Sequence, residues 1–151
     1  MIIRRWKSED EGRLRPLLMA YLREVDGLYD YLPTENNVDK LWAVGVARAG
    51  RGDPVLLAED VELLGWTSWI RVGNPVGFDF RAHVALGMGT YVVPDARSRG
   101  VARQLHEQAA AIAKNLGIER VDRIGALTGH GPGMLKRDGW APAATIYQRA
   151  L

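Results

Sequence analysis

The stretch "VVPDARSRGVARQL", residues 92–105, constrains the fold more than any other part of the chain. An apolar, β-branched pair runs into Pro94, and then Arg97, Arg99 and Arg103 gather around Gly100 where a helical apolar pattern begins. From Val101 the positions Leu105, Ala109, Ile112 and Leu116 recur at helical spacing, and Gly117 stands where a helix C-terminal glycine belongs. A strand that turns through a glycine into a helix directs free backbone N–H groups and the positive helix end at one place, and such a place binds phosphate. Gly100 would let the backbone approach an anion closely, while the arginines would add charge-assisted hydrogen bonds. The same arginines also fit a solvated helix start, and this stretch alone leaves both readings open.

Around that junction the chain alternates strand and helix patterns. "MIIRRW" predicts a first strand, and Ser8 with Glu11 forms a capping-box pattern before a helix carrying Leu14, Leu17, Leu18, Tyr21, Leu22 and Val25, delayed or kinked by Pro16. The turn-rich "DGLYDYLPTEN" precedes a second helix from Val38 to about Ala49. "PVLLAED" and "VELLGWTSWIRV" predict successive strands, "GNPVGFDFR" a connection, and "HVALGMGTYVV" a further strand in which Gly87 and Gly89 point to a bulge or a close backbone approach. After the long helix, "ERVDRIGAL" predicts a strand, "GPGMLKRDGW" a short helix and "ATIYQRAL" a closing strand. The order βααβββαβαβ describes an α/β (α+β) domain with a central mixed sheet and helices on both faces.

Composition narrows the function. At 151 residues, 47% apolar and 25% charged, the chain suits one compact domain over residues 1–151. A net charge of +2 argues against wholesale attraction to nucleic acid or membrane, so any basic site is local. Without cysteine there is no disulfide, thiolate zinc site or cysteine nucleophile. No stretch approaches the roughly 18 apolar residues of a membrane span, and a cytoplasmic protein is expected. The chain lacks G-x-x-x-x-G-K-[ST], and "GMGTYV" lacks the third glycine of a dinucleotide fingerprint, so neither a P-loop nor a nicotinamide site is favoured. His83, His106 and His130 share no zinc-like spacing, so no metal is expected, and Ser98 lacks the setting of a nucleophilic serine.

Val92, Pro94, Arg97, Gly100 and Ala102 resemble the strand-to-helix signature V-x-P-x-x-R-x-x-G-x-G/A of the GCN5-related N-acetyltransferases. The element order is similar to that family's along the whole chain, and "LKRDGW" resembles its usual ending of the last helix before a Gly-aromatic pair. The resemblance implies a mostly antiparallel sheet splayed between its fourth and fifth strands. It implies acetyl-CoA, with the pyrophosphate on the turn through Arg97, Ser98, Arg99, Gly100, Val101, Ala102 and Arg103, and the pantetheine beside Tyr91, Val92 and Val93. The family often keeps an asparagine after the fifth strand, where Thr128 stands here among the expected cofactor-binding residues, and a tyrosine as general acid where Leu135 stands.

The implied reaction transfers an acetyl group to a primary amine by direct attack on the thioester; the alternative is a CoA-binding sensor or interaction module of the same fold without turnover. An alkyl ammonium has a pKa near roughly 10.4, so the acceptor must lose a proton first, and the backbone N–H of Val92 could hold the oxyanion. His130 in "TGHGPG", His83 before the cofactor strand and Tyr147 on the closing strand are the candidate acids and bases, each of which also fits an ordinary loop, helix-start or strand position. His106, inside the long helix next to Glu107, is expected on the surface. In the loop that borders the family's acceptor site, Asp26, Tyr29, Asp30 and Tyr31, with Glu35 nearby, suit a cationic amine or a polar surface equally. Trp42, Trp66 and Trp69 are expected in the core or an interface. The acceptor could be a small molecule, a peptide amine or a modified nucleobase, and a homodimer is compatible with the sequence.

Overall fold

A computed structural model describes residues 1–25, 32–73, 83–118 and 120–123. The chain forms β1 (Ile2–Arg5), a 3-10 turn (Ser8–Asp10), α1 (Glu11–Val25), α2 (Glu35–Gly50), β2 (Val55–Glu59), β3 (Leu63–Gly73), β4 (His83–Val92), a second 3-10 turn (Pro94–Ala96), α3 (Val101–Asn115) and β5 (Arg120–Arg123). The sheet order is β1-β2-β3-β4-β5. The first four strands pair antiparallel and β5 runs parallel to β4, which is the expected mixed, mostly antiparallel sheet. The predicted last helix and closing strand lie outside the described residues, and so does the "GNPVGFDFR" connection.

Alternation along the strands divides the core into two layers. Trp66 and Tyr91 join Leu14, Leu18, Leu22 and Val38 beneath α1 and α2, whereas Trp69 joins Val101, Leu105, Ala109 and Ala113 beneath α3. Trp66 and Trp69 are three residues apart on one strand, so they must face opposite ways. Trp6 stacks on Trp42 with ring centroids 5.7 Å apart and meets Trp66 edge-on at 6.0 Å. Helix α2 can lie this close to Trp6 because residue 45 is glycine: a Cβ there would stand 2.0 Å from Trp6 Cζ3.

Several local expectations need correction. The cap before α1 is made by Asp10, whose Oδ2 accepts from the Lys7 N–H at 2.9 Å, and not by Ser8 with Glu11. Asp10 is held there by Arg4, which donates to both of its oxygens at 2.7 Å. Helix α1 continues through Pro16. Helix α2 begins three residues earlier than its apolar pattern because Thr34 caps it, accepting from the Asn37 N–H at 3.3 Å. His106 is buried, and Leu116 is exposed beyond the end of α3. Residue 106 lies three before Ala109 and seven before Ala113, on the face turned to the sheet.

Candidate active site

The glycine pair in β4 does produce a bulge. Ser68 pairs with Gly89 and Trp69 with Gly87, leaving residue 88 as the extra one. Beyond it, the Val93 N–H donates to Leu64 O at 2.9 Å, which fixes the alternation of the β3–β4 ladder. Tyr91 therefore turns its backbone groups toward Trp66, while Thr90 and Val92 turn theirs to the opposite edge. On that edge, the described pairing with β5 runs from Val84↔Arg120 to Gly87↔Arg123. The Val93 carbonyl is also engaged, accepting from the Ala96 N–H at 3.0 Å. Of the three strand residues expected beside a pantetheine, Val92 alone turns its backbone N–H to that edge, its carbonyl being taken by Arg97 Nε, and Thr90, which sequence reasoning missed, turns its N–H the same way.

Below Val92 the chain makes an uncapped helix start. Ser98 and Gly100 both take the left-handed conformation, with φ of 65° and 77°. Gly100 is the N-cap of α3 and supplies no side chain to it. The first intrahelical bond runs from the Gln104 N–H to Gly100 O at 3.0 Å, so the N–H groups of Val101, Ala102 and Arg103 have no partner within the helix. Among the described residues a Cβ at residue 100 would meet only Arg103 Nη2, at 3.7 Å, so none of them fills the space over the turn. Left-handed turns that aim successive N–H groups outward form anion-binding concavities, and the helix dipole adds to them. These residues fit a pyrophosphate, with Arg99 and Arg103 exposed at its margin.

Arg97 is placed differently from its neighbours. Its Nε donates to Val92 O at 3.0 Å, its Nη2 pairs with Glu24 of α1, and its guanidinium lies 5.7 Å from the centre of the Tyr91 ring. It ties α1, β4 and the turn together. Burial, with Glu24 adding to it, pushes the Tyr91 phenol above its ordinary pKa, so this tyrosine stays protonated at neutral pH. On the α3 side Thr90 Oγ1 lies 2.9 Å from His106 Nε2 and 2.8 Å from Thr67 Oγ1, a buried polar chain beneath the same stretch of β4.

On the opposite face a cleft of about 220 Å³ opens between α1, α2 and β3. Asn37, Lys40, Leu41, Val44 and Arg48 line it from one stripe of α2, Trp66 and Ser68 form its floor, and Tyr21 of α1 forms a wall. The Tyr21 hydroxyl lies 3.2 Å from where a Cβ of Gly89 would stand, so it overlies β4 one residue from Thr90. Arg48 Nη1 donates to Ser68 Oγ at 3.0 Å. The spacing 37, 40, 41, 44, 48 was the available sequence signal for this stripe.

His83 begins β4 but its side chain is outside the described residues; Asp26, Tyr29, Asp30, Tyr31, Thr128, His130 and Tyr147 lie outside them altogether. Glu35 sits in the first turn of α2, paired with Arg15 at 2.9 Å. Among the described residues no helix is long and apolar enough to cross a membrane.

A mixed sheet whose fourth strand leads through a left-handed turn into a helix without a side-chain cap defines an α+β architecture with an anion-type concavity at the strand–helix junction. Residues 13–129 match the model of the acetyltransferase (GNAT) family, and the chain belongs to that family of N-acetyltransferases, which use acetyl-CoA. The chain matches no curated protein sequence. Among solved structures it is similar to a ribosomal-protein-alanine N-acetyltransferase from Brucella melitensis biovar Abortus 2308, with 16% identity, TM-score 0.74 and full coverage of both chains. It is also similar to AAC(6')-Iy bound to the bisubstrate analogue CoA-S-monomethyl-acetylneamine, with 19% identity, TM-score 0.76, and 99% of this chain and 97% of that one covered. A glucosamine-6-phosphate N-acetyltransferase from Arabidopsis thaliana shares 12% identity and a TM-score of 0.71 over 99% of this chain and 97% of that one. At these identities the likeness carries the fold.

Proposed function

We propose that residues 1–151 form one acetyltransferase domain that moves the acetyl group of acetyl-CoA to a primary amine by direct attack. The observation that carries this reading is the uncapped start of α3 behind Gly100, next to a strand whose Thr90 and Val92 N–H groups leave the β3 ladder. The N–H groups of Val101, Ala102 and Arg103 hold the pyrophosphate, with Arg99 and Arg103 adding charge and Arg97 holding the turn against Val92 and Glu24. An N–H of Thr90 or Val92 donates to the thioester carbonyl oxygen and stabilises the negative charge it gains as the amine adds. Thr128 is kept as a further contact to the pantetheine.

The acceptor enters from the α1/α2 side, through the cleft that Tyr21 and Trp66 border. The ammonium gives up a proton, the new N–C bond forms, the C–S bond breaks, and the thiolate takes up a proton to leave as CoA. His83, His130 and Tyr147 remain candidates for these proton transfers, as Asp26, Tyr29, Asp30 and Tyr31 do for contacts to the acceptor.

Calorimetry with acetyl-CoA and a thiol-release assay over an amine panel test the reading together. Saturable acetyl-CoA binding with amine-dependent release of CoA is expected. Binding with no release from any amine would favour a CoA-binding module, and binding that ignores acetyl-CoA but weakens steeply with salt would favour a nucleic-acid-binding protein.

A further inference from the structure

We propose that His106 is a positioning residue for the acetyl transfer: acting through Thr90 and Thr67, it fixes the peptide group between Gly89 and Thr90, so that the Thr90 N–H keeps the direction in which it meets the thioester oxygen. The inference rests on the proposed placement of the thioester at that edge of β4.

The first observation is a buried hydrogen-bond chain with one consistent direction. The Thr67 hydroxyl carries a single proton and a carbonyl can only accept, so that proton goes to Gly89 O at 3.1 Å. Thr67 Oγ1 therefore accepts from the Thr90 hydroxyl at 2.8 Å. With its own proton spent there, Thr90 Oγ1 accepts from the Nε2–H of His106 at 2.9 Å. The imidazole is thereby a donor at Nε2. Three elements contribute, β3 with Thr67, β4 with Thr90 and α3 with His106, and Thr67 and His106 are 0% and 5% exposed. Away from water such bonds polarise one another and hold their geometry firmly.

The second observation is where the chain ends. Gly89 C=O and Thr90 N–H belong to one planar trans peptide, in which the two groups point in opposite directions. Gly89 O faces β3, where Ser68 is the paired residue, and the Thr90 N–H faces the other edge. The Thr67 hydroxyl on Gly89 O thus sets the plane in which the Thr90 N–H lies and strengthens it as a donor. This peptide needs such support: the bulge at residue 88 directly precedes it, and Gly89 has no Cβ to restrict its own backbone.

The third observation is the place of His106 in α3. It lies four residues, about 6 Å along the axis, beyond Ala102, whose N–H is among those proposed to hold the pyrophosphate. The bond to Thr90 therefore joins the phosphate-binding helix to the thioester-facing strand, and the two ends of the cofactor meet one connected frame.

The experiment follows the Thr90 amide by proton–nitrogen NMR in the presence of acetyl-CoA and of CoA, which lacks the carbonyl. The Thr90 amide proton should move downfield with acetyl-CoA relative to CoA. Thr67→Val and His106→Leu should each halve that difference or more while the Kd for acetyl-CoA changes less than about threefold, and Thr67→Ser and His106→Gln, which keep the donors, should retain it. With any amine that releases CoA, the first two variants should lose about tenfold in kcat, less than the roughly 10² to 10³-fold for a whole oxyanion donor, with KM unchanged. The double variant should lose no more than either single one. Long-range proton–nitrogen correlation should find the His106 hydrogen on Nε2. A full acetyl-CoA shift in both Thr67→Val and His106→Leu overturns the positioning role and leaves the transfer reaction standing, as does a loss of Tm with shift and kcat intact. A hydrogen on Nδ1 alone, or losses in kcat that multiply in the double variant, overturns the chain. Failure of the parent to bind acetyl-CoA overturns the reading of the site, and the role with it.

Discussion

Arg97 Nε donates to the carbonyl oxygen of Val92 at 3.0 Å, closing the turn that leads from β4 into α3 back onto the strand it leaves. The same guanidinium reaches Glu24 of α1 and overlies Tyr91. Arg97 therefore holds the turn, while Arg99 and Arg103 stand exposed beside it, where the proposed function puts the pyrophosphate. Arg97→Ala should weaken acetyl-CoA binding about tenfold and also lower thermal stability, whereas Arg99→Ala should weaken binding without moving Tm. Glu24→Gln, which leaves the Val92 bond intact, should fall between them. Calorimetry and thermal denaturation of the three variants decide the matter. Unchanged stability in Arg97→Ala would show that its contacts do not hold the turn.

The site's two sides were unequally legible in the sequence. Val92, Pro94, Gly100 and the apolar steps of α3 are local signals, because a turn, a left-handed residue and a helix face are each set within a few positions. The diversion of Arg97 was hidden because its ion-pair partner, Glu24, is 73 residues away. The backbone alternation that presents Thr90 and Val92 depends on where β3 pairs, and a one-residue slip would reverse it. The burial of His106 was readable, since it shares a face with Ala109 and Ala113, but its polar partner Thr90 comes from another element.

Gly100→Asp should reduce acetyl-CoA affinity by a hundredfold or more while the far-ultraviolet circular dichroism stays unchanged. The φ of 77° already strains any L side chain, and a carboxylate there would stand before the N–H groups proposed to receive the pyrophosphate. Gly100→Ala adds the strain without the charge, at a cost on the order of 1 kcal/mol, and should bind more tightly than the aspartate variant. Equal affinity of Gly100→Asp and the parent would place the cofactor elsewhere.

Acid should destabilise the protein through one cluster. Arg4 bonds Asp10 at 2.7 Å and Glu59 at 2.8 Å and holds both carboxyls below their ordinary pKa values. Their folded pKa values lie below the unfolded ones, so the stabilisation is complete above about pH 5 and is lost as pH falls through 4 and lower. Asp10→Asn should cost about 2 kcal/mol at pH 7 and flatten the acid limb of a Tm–pH profile. A variant with the parent's acid limb would remove Asp10 from this role.

Gly45→Ala should destabilise the fold although it replaces a mid-helix glycine with the best helix former. The propensity gain is about 1 kcal/mol, but the added methyl would fall 2.0 Å from Trp6 Cζ3. Trp6 is 5% exposed and stacked on Trp42, so it has little room to yield. Overpacking of a well-filled core costs about 1–3 kcal/mol, and a contact this short lies at or beyond the upper end, leaving a net loss of about 2 kcal/mol in urea denaturation. A stabilised Gly45→Ala would mean that α2 slides away from Trp6 freely.

Transfer should not hinge on a single side-chain acid. The family's usual tyrosine position holds Leu135, and a thiol of pKa about 8.5 leaves as thiolate with modest help. The candidates are His83, His130 and Tyr147 from the sequence and, from the structure, Tyr21, whose hydroxyl overlies β4 at Gly89. General acid catalysis is worth about 10² to 10⁴-fold, so loss of a true acid is conspicuous in kcat and leaves acetyl-CoA affinity nearly untouched. His83→Ala, His130→Ala, Tyr147→Phe and Tyr21→Phe should each reduce kcat less than about tenfold across the pH range, with proton transfer passing through water. A loss above about a hundredfold in any one of them, with acetyl-CoA binding unchanged, identifies the acid or base and overturns the prediction. Tyr21 is the informative member of the set: it borders both β4 and the α1/α2 cleft proposed to admit the acceptor, so a merely structural role would raise KM or lower Tm. A proton-transfer role would instead lower kcat and remove one limb of the pH profile.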